Sequence, residues 1–454
     1  MNALTQPRIL SPTQEDTPWP TGWRTSTIGD IAEVNPRSFS IPPANEDLVS
    51  FLPMQAIHEG DGQLDLGRAR PWREVCTGYT RFQEGDVIFA KITPCMENGK
   101  VSVARGLKDG RAAGSTELHV FRPKEGIHPD FLRYFLLTEN VRRKARAGMT
   151  GTAGQLRVPA AVMEQMEVPI PPTAEQHRIV EAIESRLARL DAAVRALERA
   201  QANLKRYLVS TLGSAFPEEN RGSNSDFVEL VTVCDTATGG TPRRDTPRYY
   251  GGSFPWIKSG ELHDGLVTHS EETITQEALD NSNAKVFPAG TVCMALYGAT
   301  VGKLGILGLD AATNQAVCAF FPHRELNSKY LFWFLRSVRG KLLSNRSGGA
   351  QPNISQTIVR HLRVRIPSVE QQYALVAEIE RRLSVAEEAS AAAERAFHRC
   401  GRLRNSILKS TFEGRLVPQD PKDESASALL ERIKREGSLA SQSMTRKRKT
   451  ARAS

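Results

Sequence analysis

Cysteine is scarce in this 454-residue sequence and never paired: Cys76, Cys95, Cys234, Cys293, Cys318 and Cys400 are scattered, with no Cys-x-x-Cys among them. That pattern argues against a zinc site or a disulfide framework and fits free thiols in a reducing cytoplasm. Long apolar runs are missing as well. No segment reaches membrane-spanning length, and the polar, proline-rich N-terminus does not read as a signal peptide. Strong charge is also lacking in the body of the chain. The formal net charge is +9, but Arg446, Lys447, Arg448, Lys449 and Arg452 place +5 of it in the last fourteen residues. The remaining +4 permits nucleic-acid binding without demanding it.

Catalytic signatures are absent in the same way. Gly298-Ala299-Thr300-Val301-Gly302-Lys303-Leu304 imitates a phosphate-binding loop. It is one residue too short between its glycines, and Leu304 stands where a Ser or Thr would ligate magnesium. No Asn-Pro-Pro or Asp-Pro-Pro precedes an aromatic, as the pocket of a base-amino methyltransferase requires; Asn35-Pro36 continues with Arg37. His263 and His269, with Asp264 beside them, lack the helical spacing of metal ligands. We assign no catalytic residue and no metal ligand.

What the chain does contain is a repeat. IPPTAEQHRIVEAIESRL (Ile170 to Leu187) and IPSVEQQYALVAEIERRL (Ile366 to Leu383) stay in register at an offset of 196 without a gap. Pro171, Gln176, Val180, Ile183, Glu184, Arg186 and Leu187 match Pro367, Gln372, Val376, Ile379, Glu380, Arg382 and Leu383, and Phe216 later matches Phe412. Each copy predicts a long helix led in by proline and capped at Thr173 or Ser368. In the first, Val180, Ile183, Leu187, Leu190, Val194, Leu197, Leu204 and Leu208 step by three and four, with Gln201 in the one polar position. That is a coiled-coil seam. The second continues its seam in small residues, through Ala386, Ser390 and Ala393 to Phe397. Some forty residues at ~1.5 Å each make a rod of ~60 Å.

Two globular stretches, rich in short strands with Gly and Pro turns, precede these rods and echo one another. Phe82-x-x-Gly85-Asp86-Val87 parallels Phe287-x-x-Gly290-Thr291-Val292, and Gly99-Lys100 parallels Gly302-Lys303. Phe131-Leu132-Arg133-Tyr134-Phe135 parallels Tyr330-Leu331-Phe332-Trp333-Phe334. The expected fold is therefore α+β: two α/β domains in a pseudo-twofold arrangement, joined by two long antiparallel coiled-coil helices.

With the repeat in view, the sequence resembles the DNA-specificity subunits of type I restriction-modification systems over residues 20–418. The marks are the paired proline-led helices and the segment Thr238-Gly239-Gly240-Thr241-Pro242. Tyr249-Tyr250-Gly251-Gly252 and Pro255-Trp256-Ile257 follow, and Phe412-Glu413-Gly414-Arg415-Leu416 closes the pattern. The first rod departs there, with Phe216-Pro217-Glu218-Glu219 keeping only the Phe. The resemblance implies a flexible N-terminus (1–19), a first target-recognition domain (20–170), a central helix (171–216), a linker (217–224), a second target-recognition domain (225–366), a distal helix (367–418) and a basic, disordered tail (419–454). It implies a non-catalytic subunit that reads a bipartite, asymmetric double-stranded DNA site and docks modification and restriction subunits in the prokaryotic cytoplasm. S-adenosylmethionine, ATP and Mg belong to those partners. The recognition subunit of a related multi-subunit restriction system and a protein-only coiled-coil scaffold are the alternatives.

DNA contact calls for Lys and Arg at phosphates and for Arg, Gln, Asn, Ser or Thr at base edges. Gly- and Pro-flanked loops offer Lys91, Thr93, Asn98, Lys100 and Arg105 in the first domain. In the second they offer Thr241, Arg243, Arg244, Arg248, Lys258, Tyr297 and Lys303. Helix-pair packing is expected of Val180, Ile183, Leu187, Leu190, Val194, Leu197, Val376, Ile379 and Leu383. The run Arg142-Arg143-Lys144-x-Arg146 either grips phosphates or caps its own helix. The tail Arg446-Lys447-Arg448-Lys449 adds nonspecific, salt-sensitive affinity at most.

Overall fold

The computed structural model describes residues 19–36, 39, 42–152, 154–217, 227–344 and 353–450, the side chains of 439–450 excepted. The expected flexible N-terminus, apart from Trp19, and nearly all of the expected linker lie outside the described residues, as do the side chains of Arg446–Lys449. The chain divides into two compact units: residues 1–195 with 397–454, and residues 196–396.

Both units are built around a sheet of the same strand sequence. In the first, Ala32–Val34, Leu118–Pro123, Val87–Ala90 and Val101–Val103 pair in that order, all antiparallel. A second sheet orders Ala69–Pro71, Leu48–Leu52, Arg111–Gly114 and Thr80–Gln83, with Leu48–Leu52 parallel to Arg111–Gly114. The other unit repeats this with Cys234–Thr238, Val317–Pro322, Val292–Ala295 and Leu304–Leu307, extended by Gly265–Val267. Its second sheet orders Glu272–Ile274, Tyr250–Ile257, Ala311–Thr313 and Val286–Phe287. The echo around Phe82 and Phe287 has a backbone cause. Gly85 (φ +83°) and Gly290 (φ +87°) turn the chain into Val87–Ala90 and Val292–Ala295 through the left-handed region, which glycine enters without a Cβ clash.

The two long helices span Thr173–Ala215 and Val369–Phe412. The three-four stripe is visible in burial. Val180, Ile183 and Leu187 are buried, and Leu190, Val194, Leu197, Gln201, Leu204 and Leu208 are half-buried between exposed neighbours. In the second helix Val376, Ile379, Leu383, Ala386 and Ala393 are buried. Phe397 leaves the expected seam: it is 46% exposed, and half-buried Ala396 and Cys400 take its place beside the stripe.

Each unit joins the head of one long helix to the tail of the other. In the first unit Arg404 pairs with Asp191 and Arg186 reaches the Leu416 carbonyl, so the tail of the second helix runs antiparallel to the head of the first. Phe412 packs on Phe131 and Phe135 at 5.2 and 5.4 Å between ring centres. In the other unit, Leu208, Leu212 and Ala215 pack on the core that holds Val376, Ile379 and Leu383. There Phe216 fills the matching place, 5.1 Å from Tyr330 and 6.0 Å from Phe334.

The segment expected as a disordered tail departs most from the sequence reading. It carries a helix, Ala426–Thr450, whose Ala426, Leu429 and Ile433 are buried in the first unit's core with Trp23, Ile28 and Ile31. Asp423, just before it, pairs with Arg178 of the first long helix at 2.6 Å. Three apolar residues on one face outweigh the basic composition that follows them, because burial of a Leu or Ile side chain contributes about 1.5–3 kcal/mol.

Candidate nucleic-acid interface

Strand direction decides where each candidate lies. From Pro123 the chain passes directly to Gly126 and His128, which touch the head of the first long helix through Gln176. The opposite end of that sheet therefore holds Ala90 and Leu118, paired with each other, and the start of Val101–Val103. Lys91, Thr93, Asn98 and Lys100 fall at this far end. Arg105 does not. It follows Val103 at the helix-side end and is paired there with Asp130, which is buried.

The second unit sorts in the same way. Pro322 leads to Glu325 and Asn327 at the head of the second long helix, so Thr238, Ala295, Leu304 and Val317 mark the far end. Thr241, Tyr297 and Lys303 follow or precede those residues. Lys258 joins them, because Ile257 runs parallel with Thr313. Arg248 sits at the opposite end of Tyr250–Ile257, on Glu277 at 2.9 Å.

Most of these cations already have an anion. Arg244 and Lys258 share Glu272 at 2.6 and 3.0 Å, and Lys258 also holds Glu271 at 2.8 Å. The Arg244 guanidinium lies 4.7 Å over Tyr250 and 4.9 Å over Trp256, so its plane is fixed by two rings. Arg244 above all, then Lys258, holds the Glu272 carboxyl below the usual range. Lys303 lies 3.0 Å from Asp264, which also takes both terminal nitrogens of Arg339 and the Leu304 N–H. Burial pushes the Asp264 carboxyl up, but Arg339, the Leu304 N–H and Lys303 outweigh it and hold it below the ordinary 3.8. This arrangement occupies the loop that imitates a phosphate cradle. Its lysine is an internal ion-pair partner.

Among the described residues the remaining candidates form no ion pair. Arg243 is exposed, and among the described residues its side chain bonds to none. Lys91 lies beside Tyr79, Thr80 and Arg81 on a cleft of about 430 Å³ at the far end of the first domain. Lys100 donates to the Met54 carbonyl (3.2 Å), Asn98 to Glu59 (3.0 Å) and Thr93 to Glu97 (3.2 Å). Thr241 is exposed and bonded to Gln315; Tyr297 is partly exposed and bridges Asn353. Sequence reasoning missed Arg81 and Gln315, which no local motif marks. In the basic run, Arg142 is fixed on the Glu97 carbonyl at 2.6 Å, inside its own domain.

Among the described residues no cluster of three His, Cys, Asp or Glu could hold a metal, and no helix is long and apolar enough to cross a membrane. The six cysteines are free thiols. Burial pushes Cys234 and Cys318 up to about 12 and raises Cys293 as well, so none of these three acts as a nucleophile near neutrality.

Duplicated sheet domains, each seated on the head of one long helix and the tail of another, define a two-domain protein built from one repeated unit. A family model described as the type I restriction modification DNA specificity domain matches residues 20–203 and 222–381. The chain belongs to that family. It is 39% identical over 173 residues to the EcoAI specificity subunit of Escherichia coli, covering 37% of this chain and 28% of that one. To the EcoKI specificity subunit of E. coli K12 it is 22% identical over 348 residues, covering 70% and 74%. The match thus spans under a third of the EcoAI relative. Among solved structures, a chain from work on complex assembly and conformational transition of the type I R-M system superposes with a TM-score of 0.70 at 21% identity, covering 87% of this chain and 99% of that one. The HsdS subunit of Thermoanaerobacter tengcongensis gives 0.62 at 20%, covering 88% and 99%. These two likenesses concern the fold.

Proposed function

We propose that the chain is the sequence-reading subunit of a type I restriction-modification complex. Each domain contacts one half of a split, asymmetric DNA site through the far end of its sheets. The long helices set the number of unread base pairs between the halves. The chain performs no chemistry itself. Methyl transfer from S-adenosylmethionine, and ATP- and Mg-dependent translocation and cleavage, belong to modification and restriction subunits that dock on it in the prokaryotic cytoplasm. The observation that carries this reading is the duplication: two domains of one strand order, differing in their far-end loops, on two helices of one repeat. Half-sites read from one face of B-DNA recur about every 34 Å, which a rod of ~60 Å can span.

In the first domain Lys91, Thr93, Asn98 and Lys100 are the contacts we propose, and in the second Thr241, Arg243, Arg244, Lys258, Tyr297 and Lys303. Phosphate can displace the exposed Glu271 from Lys258 at little cost, since exposed ion pairs contribute ~0–1 kcal/mol. Lys303, itself 45% exposed, can turn to phosphate while Arg339 keeps Asp264 paired. Arg105 and Arg248 lie away from this end and are proposed as structural ion-pair residues. The test is co-expression with a modification subunit, followed by methylation mapping of genomic DNA. Methylated adenines at one split motif of fixed spacing are the expected result. A stable complex that leaves all DNA unmodified would overturn the reading in favour of a protein-only scaffold.

A further inference from the structure

Two glutamines, Gln176 and Gln372, occupy the same place in the two copies of the repeat, and both are fully buried. Gln176 accepts from the His128 N–H (2.8 Å) and donates to the Gly126 and Pro171 carbonyls (3.3 and 3.2 Å). Gln372 accepts from the Asn327 N–H (2.8 Å) and donates to the Glu325 and Pro367 carbonyls (2.6 and 2.9 Å). The same amide makes the same bonds in both units. Each ties the proline that leads into a long helix to the loop leaving the central sheet, including the residue that opens the domain's own helix, Pro129–Leu136 or Ser328–Ser344.

We propose that Gln176 and Gln372 are positioning residues that fix the angle of each recognition domain on its long helix and thereby hold the spacer to one length. This rests on the DNA-reading function proposed above. A core needs no polar side chain at such a joint; Phe412 and Phe216 already supply apolar contact there. Apolar packing is non-directional and permits small rotations. Three directional bonds to backbone groups, two on the loop leaving the sheet and one on the proline that leads into the helix, do not, because each has a preferred line. The tolerance required is narrow. One extra base pair moves the distant half-site by ~3.4 Å and turns it by about a tenth of a turn. Over a domain about 30 Å across, a swing of ~7° at the joint covers that distance, the turn being taken up by twist spread over the unread base pairs.

The joints are not equally braced. In the first unit the Trp23 indole N–H also donates to buried Glu175 (3.0 Å), Thr173 donates to Gly126 (3.0 Å), and Arg178 holds Asp423. The second joint has the Lys329–Glu380 pair at 2.9 Å and the bond from the Tyr330 hydroxyl to the Arg365 carbonyl (2.8 Å). Loosening Gln372 should therefore matter more than loosening Gln176.

The experiment uses the assembled complex with its modification subunits, carrying Gln372→Met, Gln372→Glu or Gln176→Met. Gln372→Glu keeps the acceptor for the Asn327 N–H but sets a carboxyl oxygen against the Glu325 and Pro367 carbonyls, a harsher opening of the joint; Gln176→Met serves if neither Gln372 variant folds. Genome-wide methylation mapping reads both half-sites and spacer together. The expected result is unchanged half-site bases with methylation spreading to spacers one base pair longer and shorter, more for Gln372→Met than for Gln176→Met. Uniform loss of methylation at the wild-type spacer alone would overturn the proposal, as would altered bases in either half-site. A second readout does not depend on DNA. Spin labels at Lys285→Cys and Glu388→Cys, with Cys76, Cys95 and Cys400 changed to Ser, report the distance from domain to helix within one unit. Its distribution should broaden in Gln372→Met and Gln372→Glu; wild-type width in both would overturn the inference. If the wild-type complex methylates no split motif, the DNA-reading function fails, and the label distances alone decide whether the joint is held.

Discussion

Replacing Leu429 by alanine tests whether the C-terminal segment is a working part of the first domain. Leu429 is 1% exposed, and a Cβ added at Gly126 would meet its Cδ1 at 2.5 Å, so the side chain lies directly on the loop that Gln176 holds. Leu-to-Ala changes in packed cores cost about 2–5 kcal/mol, the spread depending on how far the site collapses. Ile433 and Ala426 on the same face restrain collapse, which places the expected loss near ~3 kcal/mol. For a unit of roughly 250 residues, each kcal/mol shifts Tm by about 2–4 °C, giving a fall of ~6–12 °C. Leu266→Ala is the control, because Leu266 is 67% exposed and its removal should change stability by no more than ~0.5 kcal/mol. Scanning calorimetry of the two variants beside wild type makes the measurement. If Leu429→Ala melts with the Leu266→Ala control, the helix is not part of the domain core and the packing argument fails.

Asp264 should make stability fall in acid. Its folded pKa is depressed, so its contribution is present at neutral pH and is lost as pH drops below the ordinary 3.8 through the folded value. Asp264→Asn should lose ~3 kcal/mol at pH 7, leaving Lys303 and Arg339 without their anion, and should show a shallower acid limb in melting followed from pH 7 to 3. A limb as steep as wild type would assign the acid sensitivity elsewhere. Of the six thiols, Cys234, Cys293 and Cys318 should resist an aromatic disulfide reagent at pH 8 until denaturant is added; rapid labelling of any of them in the native protein would contradict their burial.

The repeat at an offset of 196 made the long helices and the matched domains legible, because a shared register survives divergence at most positions. It also marked Gln176 and Gln372 as equivalent. It could not give their role, since their partners are backbone groups 45 to 50 residues away as well as nearby. The DNA candidates were legible only as loop polarity. Arg244 and Lys303 look available in sequence because their anions stand 28 and 39 residues away. Strand direction then separates Arg105 and Arg248 from the others, and no local pattern encodes that. The helix Ala426–Thr450 escaped for a different reason: its buried positions are few and its composition is that of a solvated tail.

The division of the first domain between distant stretches of chain sets an order for biosynthesis. Residues 196–396 form a contiguous unit, whereas the first unit draws Phe412, Leu416, Leu429 and Ile433 from the chain's far end. At ~5–20 residues per second, about 10–50 s of translation separate the emergence of the first domain's strands from that of the residues that seal its core. The domain encoded second is therefore the first able to close on the ribosome, and the one encoded first must wait, part-formed, for the last segment to be made.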